Sequence, residues 1–327
     1  MKAPFPYFGG KRRAAPIIWG MLGDPSGYVE PFAGSAAVLL ARPATQSRRV
    51  ETLNDADGWL VNAWRAIQLS PDRVAAHAYG PVTEIDYHAR KAWLKARNDE
   101  GLVDWLAGDP EHHDPKAAGW WLYVMACGIG NPFEDGPWTQ VDGRLVKNAG
   151  RGVNRELPHL GDAGQGVQRN IPALCRPRGV MAGRVDNLTD YMQALAQRLE
   201  RVRITCGDWQ RVVQPSVYRA GAGGDGGRAI FLDPPYTGGD QRVYESKGGD
   251  GAVSAEVREW CLTADPSLRI VVSGYEDEHD ELISHGWTVH QGLATTGAGY
   301  SNIGAASGHR ERLWASPSCI HAQGVLL

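Results

Sequence analysis

The chain is poor in paired cysteine, in long apolar runs and in excess positive charge, and each shortage excludes something. The five cysteines (Cys127, Cys175, Cys206, Cys261, Cys319) are scattered and form no CxxC pair. Neither a zinc knuckle nor a disulfide framework is expected, and a reducing cytoplasm suits such usage. The longest apolar run, near Trp120–Ile129, is too short to span a bilayer. The opening "MKAPFPYFGGKRR" lacks the apolar segment of a secretory signal. His112–His113–Asp114 has no second cluster to complete a four-ligand shell, so no metal site is expected. Formal net charge is −3, so any contact with nucleic acid must use a local basic patch. What is present suits a sizeable core: 327 residues, 43% of them hydrophobic and 22% charged, exceed one ordinary domain and argue against wholesale disorder.

Sheet signals occupy the two ends of the chain. Tyr28–Val29 reads as a short strand ending at Glu30, followed by the turn "PFAGS" and a helix start at "AAVLLA". Val50–Leu53 is a second strand ending at "NDAD", with Asp55 or Asp57 placed to cap the helix carrying Leu60, Val61, Trp64 and Ile67. After residue 199 come strands at Val202–Cys206, Ala229–Leu232 and Leu268–Ser273, an acidic helical stretch from Glu276 to His285, and a closing antiparallel pair at Trp287–His290 and Arg312–Ala315. The expected fold class is α/β: a doubly wound, mostly parallel sheet interrupted by an inserted domain. The boundaries expected are 1–69 and 200–327 for the sheet domain and 70–199 for the insertion. Within the insertion, Ser70–Ala107 reads as helical in parts, and "GWWLYVMAC" as a buried helix or strand. Asn131–Gly183, rich in Gly, Pro and Arg, reads as loops, and Leu188–Leu199 as an amphipathic helix.

The stretch "IFLDPPYTGG", Ile230–Gly239, carries the strongest chemical signal. Prolines lack the N–H that a central strand donates, so the strand stops at Asp233 and leaves the acid at its carboxyl end, where open α/β sheets bind ligands. The Asp233 carboxylate and the Pro234 carbonyl can both accept hydrogen bonds from one exocyclic amine, while Tyr236 can stack on a flat ring. Two acceptors on such an amine favour a more tetrahedral nitrogen and free its lone pair for attack. Elsewhere, Gly34 in "EPFAGS" permits a close backbone approach at a helix start. "YFGGKRR" places two glycines before Lys11 without the Ser or Thr of a Walker A loop, and "CGDW" sets Asp208 after another strand.

Taken together, "YFGGK" (7–11), "EPFAGS" (30–35), "NDAD" (54–57), "GDW" (207–209) and "DPPY" (233–236) resemble, in content and order, the Dam-type (α-class) S-adenosylmethionine-dependent DNA adenine-N6 methyltransferases. The resemblance covers 1–69 and 200–327; the middle third corresponds by position alone and looks closer to bacteriophage-type members. It implies a seven-stranded, Rossmann-like methyltransferase sheet with an inserted target-recognition domain, S-adenosylmethionine as cofactor and double-stranded DNA as partner. It also implies roles. Tyr7, Gly10 and Lys11 contact the cofactor. Glu30, Pro31, Phe32, Gly34 and Ser35 surround its methionine part. Asp55 holds its ribose hydroxyls, and Asp208 binds its adenine amino group with Trp209 beside that ring. Asp233, Pro234, Pro235 and Tyr236 form the catalytic motif that holds and stacks the target adenine, which must leave the duplex to react. No metal and no covalent enzyme intermediate is required. One departure concerns the cofactor loop, where the place of a usual second glycine is taken by Ala36.

From Gln140 to Arg203 there are eleven basic residues against six acidic, in a chain that is net negative. Such a patch supplies phosphate contacts and positioning rather than sequence readout. An RNA base as substrate, or a binding module that keeps the fold without the activity, are the alternative readings. No segment reads as a nuclease domain, so a restriction-modification partner would lie on another chain, and action as a monomer is the default expectation.

Overall fold

The computed structural model describes residues 1–7, 10–43, 49–98, 101–109, 111–128, 138–141, 144–147, 185–218, 227–235, 252–291 and 311–320. The chain divides into two compact units. One comprises Met1–Lys2, Tyr7–Ala56 and Arg201–Leu327; the other comprises Ala3–Pro6 and Asp57–Glu200.

The described strands are, in chain order, β1 (Gly27–Glu30), β2 (Val50–Asp55), β3 (Trp138–Val141), β4 (Arg144–Lys147), β5 (Val202–Cys206), β6 (Arg228–Leu232), β7 (Arg269–Tyr275), β8 (Thr288–Gln291) and β9 (Glu311–Ala315). Seven of them form the sheet of the first unit, in the order β5-β2-β1-β6-β7-β9-β8. β5, β2, β1, β6 and β7 run parallel, while β9 inserts antiparallel between β7 and β8. The sheet is therefore α/β and mixed, with the reversed strand confined to one end. Residue chemistry explains the placement. β1, β6 and the middle of β7 are buried along nearly their whole length, which suits central strands covered on both faces. β8, at the edge, is partly exposed throughout. Val29, Ile230, Leu232, Ile270, Val272 and Trp314 lead one buried cluster, to which the helix Ala252–Thr263 adds Val257 and Cys261.

β1 has β2 on one side and β6 on the other, so strand order reverses there. The crevice beyond the carboxyl ends of strands flanking such a reversal is where open α/β sheets bind ligands. Glu30, Asp55, Asp208 and Asp233 all lie at or just beyond those ends.

In the second unit, the "GWWLYVMAC" ambiguity resolves as helix, Pro115–Cys127. Asp114 caps it by accepting from Lys116 N and Ala117 N, as Asp57 caps Gly58–Leu69 through Trp59 N and Leu60 N. Gly119 lets this helix approach Pro71–Ala78 closely: a Cβ there would lie 2.8 Å from Ala78 N and from Val74 O. Phe5 packs on Trp64 and edge-on to Trp121, with ring centroids 5.5 and 4.9 Å away, which ties residues 3–6 to this unit.

Two expectations need correction. Asn131–Gly183 is not wholly loop, because β3 and β4 pair antiparallel within it. The Asp142–Gly143 dipeptide between them is a strong two-residue hairpin signal that outweighs the loop-like composition around it. The stretch from Glu276 is not a continuous helix either: turns lead into a 3-10 helix over Asp280–His285 that ends at the left-handed Gly286.

Candidate active site

Lys11, near the chain's start, is 5% exposed and pairs with two carboxylates from distant segments. Its Nζ lies 3.0 Å from Asp233 Oδ1 and 2.8 Å from Glu311 Oε1. Burial on its own would lower the Lys11 pKa; Asp233 and Glu311 more than offset that and hold it above the ordinary lysine value. Asp233 thus sits just beyond β6 with a fixed cation beside it. Ser273 of β7 donates to the same oxygen, Oδ1, at 2.6 Å.

The loop after β1 is held by side chains of neighbouring strands. Asn54 Nδ2 donates to Pro31 O at 3.0 Å and to Gly207 O at 2.9 Å, joining the loop after β1 to the turn after β5. Asp55 Oδ2 accepts from Gly34 N at 2.9 Å. Gly34 has φ +46°, and a Cβ on it would stand 2.8 Å from the ring of Tyr7, so glycine is what lets Tyr7 lie over the loop. Gly10 lies beside Ser35 without such crowding, its notional Cβ 3.4 Å from Ser35 Oγ.

Glu30 is 2% exposed and accepts from Tyr28 Oη and from Leu39 N at 2.6 Å. Burial pushes its pKa up to about 8; these two donors oppose the rise without cancelling it. Tyr7, Gly10, Lys11, Glu30, Phe32 and Gly34 line one cleft together with Asp233.

Asp208 is exposed and accepts from Gln210 N at 2.7 Å, capping the short helix Trp209–Arg211. Trp209 is buried between Phe32 (centroids 5.8 Å apart) and Trp260 (6.1 Å, edge-on). Its Nε1 has no hydrogen-bond partner among the described residues. Pro234 and Pro235 follow Asp233 just beyond β6; Tyr236 lies outside the described residues, as do most arginines of the basic stretch. His113 bonds Ser70 Oγ and Glu111 O, and no cluster of three or more metal-ligating side chains occurs among the described residues. No described helix is long and apolar enough to cross a membrane.

Glu311 and Ser273 are the two members of this cluster that sequence reasoning passed over. Glu311 stands in "RERLW", which reads as a closing strand, and Ser273 is one polar residue in an apolar one. Only the pairing of β7 with β6 and β9 brings them to Asp233 and Lys11.

Acids at four strand ends around a topological reversal, with a proline-stiffened acid near a glycine loop, form the ligand-binding crevice of an α/β fold. Residues 7–101 match the family model for D12 class N6 adenine-specific DNA methyltransferases, and this stretch holds Tyr7, Lys11, the Glu30–Ser35 loop and Asp55. Comparison with curated proteins gave no match. The matched stretch, residues 7–101, is thus similar to adenine-specific DNA methyltransferases, and this similarity supports adenine-N6 methylation of DNA.

Proposed function

We propose that the methyl donor is S-adenosylmethionine, bound in the cleft between Tyr7, Lys11, the Glu30–Ser35 loop and the ends of β2 and β5. The donor set supports this. Carboxylates at two neighbouring strand ends (Asp55, Asp208), the buried Glu30 of the adjoining strand as a hydrogen-bonding group, and aromatic rings (Tyr7, Phe32, Trp209) suit a ligand with hydroxyl pairs and a flat amino-bearing ring. Bound there, S-adenosylmethionine supplies an electrophilic methyl group on a sulfonium.

The protein's part is positioning and electrostatics. In this reading the target adenine of double-stranded DNA leaves the stack and enters beside Asp233. The Asp233 carboxylate and Pro234 carbonyl accept from its amine, Pro235 stiffens the turn, and Tyr236 stacks on the base. As the nitrogen attacks it gains positive charge, which the carboxylate stabilises. Asp55 holds the ribose hydroxyls, Asp208 the cofactor's amino group, and Glu30, Pro31, Gly34 and Ser35 surround its methionine part with Gly10 opposite. Residues 70–199 serve as the target-recognition domain, with the monomer as the acting form.

The observation that carries this reading is the buried Lys11–Asp233 pair at the end of β6, which fixes the acid where an amine would be held. The test is incubation with tritiated S-adenosylmethionine and unmethylated genomic DNA, followed by nucleoside analysis. N6-methyladenine is expected. Asp233→Ala should retain the fold by circular dichroism and lose turnover by about 10²-fold or more. Near wild-type turnover in that variant, or label confined to RNA, would overturn the reading.

A further inference from the structure

Two side chains outside the sequence motifs hold the motif residues in place. Ser273 is fully buried, so its hydroxyl must find an acceptor. It finds Asp233 Oδ1 at 2.6 Å; the Leu232 carbonyl, at 3.4 Å, is too far to compete. Strand register makes this contact. Leu232 pairs with Val272 between β6 and β7, so Asp233 and Ser273 come next to each other one step further along. Lys11 and Ser273 therefore bond one carboxylate oxygen from two sides, which restricts rotation of the carboxylate.

Glu311 contributes charge. It enters from β9, where it pairs with Tyr275 of β7, and takes a second contact of Lys11. Lys11 with Asp233 alone is formally neutral and would present little negative potential to a nitrogen gaining positive charge. With Glu311 the three groups sum to −1 in formal charge.

Building on the proposed methyl transfer, we infer that Ser273 and Glu311 are positioning residues for it. Ser273 sets the orientation of the Asp233 carboxylate. Glu311 holds Lys11 against that carboxylate and keeps the cluster negative.

The experiment compares wild type, Ser273→Ala, Ser273→Thr and Glu311→Gln, using tritiated S-adenosylmethionine and unmethylated duplex DNA. It reads kcat, KM for the donor, donor-binding stoichiometry and melting temperature. Hydrogen bonds to charged groups translate into rate losses of about ten- to a hundredfold for Ser273→Ala, with KM within about twofold. Ser273→Thr keeps the hydroxyl and should recover most of the rate. Glu311→Gln keeps the contact with Lys11 and removes the charge, so kcat should fall by about tenfold while donor affinity holds. The inference fails if the alanine and glutamine variants turn over like wild type per donor-binding site. It fails equally if their loss follows only a lowered melting temperature, or if Ser273→Thr melts normally yet stays as slow as Ser273→Ala. Glu311→Gln lies on a half-buried side chain and decides its half even where Ser273 variants fold poorly. A wild type that binds the donor and labels no DNA would instead overturn the reading of function on which this rests.

Discussion

Glu30 illustrates how one buried carboxylate can set a pH dependence. Its folded pKa is pushed up to about 8, from an ordinary value of 4.5, chiefly because burial disfavours the charged form. Between those values the folded protein binds the proton and the unfolded chain does not. The stability tied to protonated Glu30 is thus full below pH 4.5 and is lost as pH rises through 8. Glu30→Gln keeps an oxygen for Tyr28 and Leu39 N and cannot ionise. Its melting temperature should equal wild type at about pH 5 and exceed it at about pH 8.5, and thermal melts of both proteins at these pH values check this. An unchanged difference between the two pH values would assign the slope elsewhere. At this scale the sequence was legible where a residue carries its own punctuation. Asp233 stands out because two prolines follow it, and Gly34 and Lys11 stand out within their glycine-bearing motifs. Ser273 and Glu311 have no such local mark; their role comes from strand pairing between segments far apart in the chain, which periodicity cannot show.

Among the elements, the loop between β1 and the short helix Ala37–Leu40 stores strain at one position. Ala36 adopts φ 49°, ψ 31°, the left-handed region that disfavours a side chain. It stands where Dam-type loops usually carry a second glycine. Ala36→Gly should relieve about 1–2 kcal/mol of backbone strain against roughly 0.5–1 kcal/mol of added chain entropy. A net gain of up to about 1.5 kcal/mol is expected, read as a higher urea midpoint at unchanged slope; a lower midpoint would show that the methyl's packing matters more. All seven strands of the main sheet were readable to within a few residues, because buried parallel strands are apolar runs stopped by acids, glycines or prolines. The short pair β3–β4 reads as loop, because its Asp-Gly signal joins strands only four residues long within a stretch whose glycine and arginine content suggests loops.

For the whole molecule, charge is the quantity that matters. The chain is net −3, yet the substrate proposed for it is a polyanion, so encounter is assigned to the basic stretch of the inserted unit. β4 carries two of those charges, Arg144 and Lys147. Replacing both by alanine should reduce the slope of log affinity against log salt by about 1–2, at ~0.9 for each phosphate that is no longer neutralised. Fluorescence anisotropy on duplex DNA across a salt series measures it, and an unchanged slope would remove β4 from the DNA-facing surface. The ion cluster at Lys11 also has a consequence in time. Lys11 is made near the start of synthesis, and its partners Asp233 and Glu311 follow far later, Glu311 a full 300 residues on. At roughly 5–20 residues per second, the ribosome takes about 15–60 s to deliver the last of them. Throughout that interval the lysine lacks the full set of counter-charges with which it is buried in the finished fold. A nascent chain therefore cannot close its active site early, and a product cut short before β9 would leave the ribosome with that lysine still in water.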